Sequence, residues 1–264
     1  MESKSEQLLV RQRDGIGWIL LNRPMKRNAI THEMYESLYL TLLEMERNTD
    51  IGCVVLSGNG TEFCAGGDVG GMSKSGDTSC AERIDAMRKR TRVIERLHLM
   101  DKPTIAMMKG NSVGAGMSLA LACDLRIGDA TTKMRTGFLS LGLSGDYGIH
   151  YFLPRIVGEA KAREIFLLSR TIAAPEALAL GLLNQMVNDD MLEEQVIHIA
   201  STLACAPQPA LGFIKQNLSQ SSSMTLSEML DIECERHIEC TESQDHTAAV
   251  HAFLKKKTVK RNLS

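Results

Sequence analysis

PTIAMMKGNSVGAGMSLALACDLRIGD, residues 103–129, is the stretch on which the fold turns. PTIAMMKG (103–110) reads as a buried strand, NSVGAG as a glycine-broken turn, GMSLALACD as an apolar helix, and CDLRIGD (123–129) as another strand. Strand and helix alternate, which favours right-handed βα units and a mainly parallel sheet. Upstream, GCVVLSG (52–58) reads as a further buried strand. LLVRQRDGIGWILLN (8–22) reads as a hairpin turning at Asp14-Gly15. Thr31 opens a helix in which Met34, Leu38, Leu42 and Met45 recur at helical spacing. GMSKSGDTSCAE (71–82), rich in Gly, Ser and Thr, reads as a loop beside which function often sits. From about 206 the texture is helical only, through APQPALGFIKQNL, TLSEMLDIECERHIECTES and DHTAAVHAFLKKK. The chain therefore divides into a strand-and-helix core over 1–205 and a helical segment over 206–264.

The balance of charge limits the partners. Thirty basic against 32 acidic residues give a net charge of -2, whereas a phosphate-neutralising surface needs a basic excess, so a general nucleic-acid binder is not expected. No window approaches the roughly 18 apolar residues of a membrane span. Seven cysteines form an odd count without framework spacing, which fits a reducing cytoplasm. Cys234, His237 and Cys240 lack a fourth ligand for zinc, and no metal is expected.

Two glycine-rich turns follow strands, FCAGGDVGGM (63–72) and NSVGAGMSLALACD (111–124). Glycine lets backbone N–H groups approach a ligand, and a helix start adds a positive dipole, so two such turns can aim two donors at one oxygen. The same glycines would serve equally for tight turns and close packing. A dinucleotide site is disfavoured because GxGxxG is absent, and a P-loop because GK[ST] is missing. In LGLSGDYGIHYFLPRIVG (141–158) one carboxylate, Asp146, stands between glycines after an apolar run. Taken alone it reads as a turn or helix N-cap residue.

In order and spacing, RPMKRNAI (23–30), FCAGGDVGGM, the stretch 102–128 and LGLSGDYG through LLNQMV (141–187) resemble the crotonase (enoyl-CoA hydratase/isomerase) superfamily. The resemblance runs from about residue 8 to the end. It implies a spiral of ββα units with C-terminal helices that pack onto partner subunits, as a homotrimer or a dimer of trimers. It also implies an acyl-CoA thioester substrate and no cofactor beyond the coenzyme A that the substrate carries.

By motif position the family's two enolate-stabilising N–H donors fall at Gly67 and Ala115. The CoA contacts fall at Lys26, Arg27 and Ala29, with Ala65, Gly66, Asp68 and Val69 along the pantetheine and thioester. Phe253 and Lys256 match a C-terminal position that helps hold the nucleotide end, sometimes in a neighbouring subunit. Ser118 and Phe138 stand where the family's hydratases carry their two glutamates, so two-carboxylate hydration loses both usual groups.

Asp146 coincides with the single acid of the family's isomerase branch, the ring-epoxide and Δ3,Δ2-enoyl-CoA type, in which one carboxylate moves a proton between two carbons. Burial in an acyl pocket would raise its pKa towards the operating pH. Dehalogenases of the family place a carboxylate at the same point, but Thr91 and Phe138 occupy the positions of their histidine and tryptophan. A hydratase-like lyase, an acyl-CoA hydrolase and a catalytically inactive acyl-CoA binder remain the alternatives. His98 and His150 read as structural, Tyr147 and Tyr151 either as acyl contacts or as core, and Cys64 as a small residue of its turn.

Overall fold

The computed structural model of the chain describes residues 6–71 and 79–261, with side chains through Lys255. The hairpin forms as read: β1 (Leu8–Arg13) and β2 (Ile16–Leu21) pair antiparallel around Asp14 and Gly15. Thr31 caps α1 (His32–Arg47) by accepting from Met34 N–H, and Met34, Leu38, Leu42 and Met45 are all buried. β3 (Cys53–Gly58), α2 (Cys80–Leu99), β4 (Thr104–Met108), β5 (Asn111–Val113), α3 (Ala115–Ala122) and β6 (Leu125–Asp129) follow. Then come β7 (Lys133–Arg135), α4 (Ile149–Val157), α5 (Glu159–Leu168), β8 (Ile172–Ala173), α6 (Ala174–Ala179), β9 (Gln185–Val187) and α7 (Leu192–Ala204).

The main sheet has the order β1-β2-β3-β4-β6-β9, parallel everywhere except at the β1–β2 edge. Its central strands are continuous apolar runs because both faces are covered. Along β3 and β4 the side chains alternate: Val54, Leu56, Ala106 and Met108 join the core under α1, α2 and α3. Val55, Ile105 and Met107 join Leu192, Val196 and Ala200 of α7 on the other face.

Two local readings change. NSVGAG is more than a turn: Asn111–Val113 is a strand of a second, three-stranded sheet, β5-β7-β8. Most of the loop expected over 71–82 lies in 72–78, outside the described residues. Its end is already helix, because Ser79 and Glu82 form a reciprocal capping box that opens α2.

After residue 206 the chain forms α8 (Gln208–Ser221), α9 (Leu226–Thr241) and α10 (Gln244–Arg261). Lys215 ties α8 to the core through an ion pair with Asp124 at 2.7 Å and a bond to Lys102 O at 2.9 Å. No single helix among the described residues is long and apolar enough to cross a membrane.

Candidate active site

The two glycine-rich turns lie side by side because short backbone bonds stitch them together. Cys64 N–H donates to Asn111 O at 3.0 Å and Val113 N–H to Cys64 O at 2.9 Å, so Cys64 and Ser112 face each other in a parallel bridge. Gly67 and Ala115 therefore stand at the same offset, three residues beyond a paired residue. Side chains would prevent this approach. Gly66 has φ +101°, and a Cβ there would stand 2.9 Å from Val113 O; one on Gly116 would stand 2.4 Å from Cys64 O. Gly116→Ala is expected to lower the unfolding free energy by about 1–3 kcal/mol, as overpacking does. A urea melt measures this as a lower midpoint at unchanged slope.

The turn leaves two donors over. Ile30 N–H bonds Gly66 O and Asp68 N–H bonds Ile30 O, so the Gly67 N–H between them is skipped. Ala115 is the first residue of α3, where an N–H has no partner within its helix. Among the described residues neither N–H meets a hydrogen-bond acceptor.

These donors border a cleft of roughly 740 Å³ that is also lined by Phe138, Asp146 and Tyr147. Asp146 caps no helix: the N-cap of α4 is Gly148, with no side-chain bond. Its Oδ1 is buried without a partner among the described residues. Desolvation pushes its pKa from 3.8 up to about 6, and the charge of Arg90 holds it back from rising further. Asp146 does open a turn, with Ile149 N–H donating to its main-chain O at 3.3 Å, but its side chain caps no helix and is left as a poised, unsatisfied acid among the described residues.

What holds Asp146 there is its neighbour. Tyr147 has φ 52°, a left-handed conformation costly for a bulky residue, and is only 5% exposed. Its ring stacks on that of Tyr35 from α1, with centroids 4.6 Å apart at 17°. Both phenols resist ionisation because they are buried, Tyr147 with a pKa pushed to about 12. Below them Ser118 Oγ donates to Asp146 O and to Gly114 O, each at 3.3 Å.

Ser118, expected among the binding residues, is not among the residues that line the cleft. It is fully buried in α3, beneath the cleft, and anchors the backbone of Asp146. Phe138 does line the cleft, as do Ala65, Gly66, Asp68 and Val69. Asp68 is occupied by an ion pair to Arg23 at 2.8 Å and by Gly70 N–H at 3.0 Å. Lys26 and Arg27 are exposed outside the cleft, and Ala29 is half-buried and does not line it. The motif's structural anchor is Asn28, fully buried, which accepts from Arg23 N–H and donates to Asn59 O and Glu62 O.

Phe253 is 65% exposed on α10 and does not line this cleft, and Lys256 falls outside the described side chains. His150 stacks on Phe166 at 4.4 Å, and His98 and Tyr151 pack edge-on against Phe152. None of the three lines the cleft, nor does Thr91. Cys64 is fully buried and its thiol pKa is raised to about 12, which makes it no nucleophile. Among the described residues no group of three His, Cys, Asp or Glu side chains is placed to hold a metal.

Sequence reasoning missed Tyr35, Arg23 and Arg90. Tyr35 follows directly on the apolar position Met34 and offers a helical-face signal. The other two are charged residues whose neighbours only the fold supplies.

The profile of the enoyl-CoA hydratase/isomerase family matches residues 11–261. The chain is 33% identical over 255 residues to 1,2-epoxyphenylacetyl-CoA isomerase of Escherichia coli (strain K12), covering 96% of this chain and 97% of that protein. It is 32% identical over 241 residues to 4-chlorobenzoyl coenzyme A dehalogenase-1 of Arthrobacter sp, covering 90% and 87%. A crystal structure of an enoyl-CoA hydratase from Polaromonas sp. JS666 superposes with a TM-score of 0.89 at 28% identity, covering 94% of this chain and 97% of that one.

Proposed function

The chain belongs to the enoyl-CoA hydratase/isomerase family, and from that premise we propose that it is an acyl-CoA thioester isomerase that moves a double bond or ring unsaturation with Asp146 as its single acid–base group. Membership supports an acyl-CoA-processing enzyme, and the named relatives include an isomerase, a dehalogenase and a hydratase. The observation that carries the finer reading is the buried Oδ1 of Asp146, without a partner among the described residues, in a cleft whose other described carboxylates are already engaged. Asp68 is held by Arg23 and Glu82 by Ser79.

In this mechanism the thioester carbonyl oxygen accepts hydrogen bonds from Gly67 N–H and Ala115 N–H. The Asp146 carboxylate takes a proton from the α or γ carbon, and the electron pair passes through the conjugated carbons onto the carbonyl oxygen. The two N–H dipoles stabilise the charge gathering there. The protonated Asp146 then returns its proton to the other carbon, so no water is consumed. Ser118 in place of one glutamate and Phe138 in place of the other support isomerisation over hydration, because neither side chain can deprotonate water at neutral pH. Apolar residues exposed on α8 and α9, Leu218, Leu226, Leu230 and Ile238, fit burial between copies in a homo-oligomer.

The pH dependence of 3-enoyl-CoA isomerisation tests the assignment. The base works ionised, so kcat/KM should fall tenfold per pH unit below about 6, the value to which burial lifts Asp146. A profile that stays flat down to pH 4 would remove Asp146 from the reaction.

A further inference from the structure

Helix α2 turns one face to the cleft at helical spacing. Arg83, Met87 and Arg90 line it, and Ile94, one turn on, packs under the 145–148 turn, 3.3 Å from the place of a Cβ on Gly148. This puts the Arg90 guanidinium near Asp146, where the cleft is bounded by the turn that carries the acid. It is close enough for its charge to act on Asp146, yet it has no ion pair among the described residues. Its one hydrogen bond there is a weak one, Nη2 to Met87 Sδ at 3.8 Å, and its Nε is buried without a partner.

A guanidinium presents Nε–H and one Nη–H as parallel donors along one edge, the spacing that a carboxylate accepts in two bonds. A buried donor left unpaired is costly, so an arginine in this position is stabilised by a ligand that brings the acceptor. Among the described residues the protein's own acids do not: Asp68 and Glu82 are engaged elsewhere, and Asp146 remains beyond ion-pair reach with an oxygen unpaired. A plain alkyl chain would leave Nε–H unsatisfied.

We propose that Arg90 receives a second carboxylate carried by the acyl group, so that the preferred substrates are CoA monothioesters of dicarboxylic acids. The inference rests on the acyl-CoA reading above and adds the class of acyl group. Arg90 then acts as the specificity-determining residue: it selects by charge, and it shields the substrate's carboxylate from that of Asp146.

The test is calorimetric binding of unreactive saturated ligands: succinyl-, glutaryl- and adipyl-CoA, each against a shape-matched neutral thioester in which an isopropyl group replaces the carboxylate. Wild type should bind at least one diacid thioester about 10- to 100-fold more tightly than its neutral match, as a charge-assisted bidentate pair provides. The preference should vanish in Arg90→Met and survive in part in Arg90→Lys. Absence of a preference at all three lengths, or a preference that persists in Arg90→Met, would overturn the proposal. If Arg90→Met does not fold, Arg90→Gln is read in the same way. Saturated ligands need no turnover, so failure of double-bond migration leaves this result standing. Failure of every thioester to bind would instead refute the acyl-CoA reading, and this proposal with it.

Discussion

Asp146→Asn is expected to lower kcat by about 10²–10⁴-fold, the usual contribution of a positioned general base, and at the same time to make the folded protein more stable at neutral pH. Asparagine keeps the shape of the side chain, the left-handed backbone at Tyr147 and the Ser118 bond to the main-chain carbonyl, so acyl-CoA binding should persist. The gain in stability follows from the same burial that poises the acid. The carboxyl has an ordinary value of 3.8 and rises to about 6 in the fold. Between about pH 4 and 6 the native state therefore holds a proton that the unfolded state has released, and wild type loses stability as pH rises through that window. The amide does not titrate. Above pH 6 the variant should be more stable by on the order of 1–2 kcal/mol, a figure reduced because the carboxylate is partly exposed. Below pH 4 the difference should disappear. Thermal melts across pH alongside single-turnover rates check both halves. A variant that melts lower at pH 7 and keeps its rate would make Asp146 a structural residue.

Ala115→Pro is expected to lower kcat by about 10²–10³-fold with little change in stability. Proline deletes the N–H of this position and puts its ring Cδ where the hydrogen pointed, towards the place of the carbonyl oxygen. Ala115 is the first residue of α3, the helical position where proline is tolerated because the N–H has no partner in the helix. The preceding residue is Gly114 with ψ −121°, away from the helical ψ that a following proline excludes. A kcat loss without loss of cooperative melting or of acyl-CoA binding would mark the N–H as a group that acts on the transition state. Loss of binding and rate together would show that it holds the ground-state carbonyl just as strongly.

Much of this was legible in the chain before any coordinates. The apolar runs at 53–58 and 104–108 read as strands covered on both faces, LRIGD at 125–129 as another strand, and Asp14-Gly15 as a hairpin turn, and each forms. Gly67, Ala115 and Asp146 came from motif position, and all three border one cleft.

The rest was hidden for identifiable reasons. Asn111–Val113, Lys133–Arg135 and Ile172–Ala173 are two or three residues long, too short for periodicity to register, yet they form the second sheet beside the site. Ser118 has no sequence mark of its depth; it lies under the cleft because α3 is buried all round. Lys26 and Arg27 stand in the right motif, but their side chains are exposed, and the buried anchor of that motif is Asn28. Arg90 is one of several charges in RKRTR (88–92) with no mark of its own, because which face of α2 meets the cleft depends on Ile94 packing under the 145–148 turn.

The central claim, one carboxylate that returns the proton it takes, is tested most directly by the mass of the product. Purified protein incubated with 3-enoyl-CoA and, separately, with trans-2-enoyl-CoA should give only products of unchanged mass, with the double bond shifted. A hydroxyacyl-CoA, heavier by one water and formed at a rate matching or exceeding isomerisation, would contradict it.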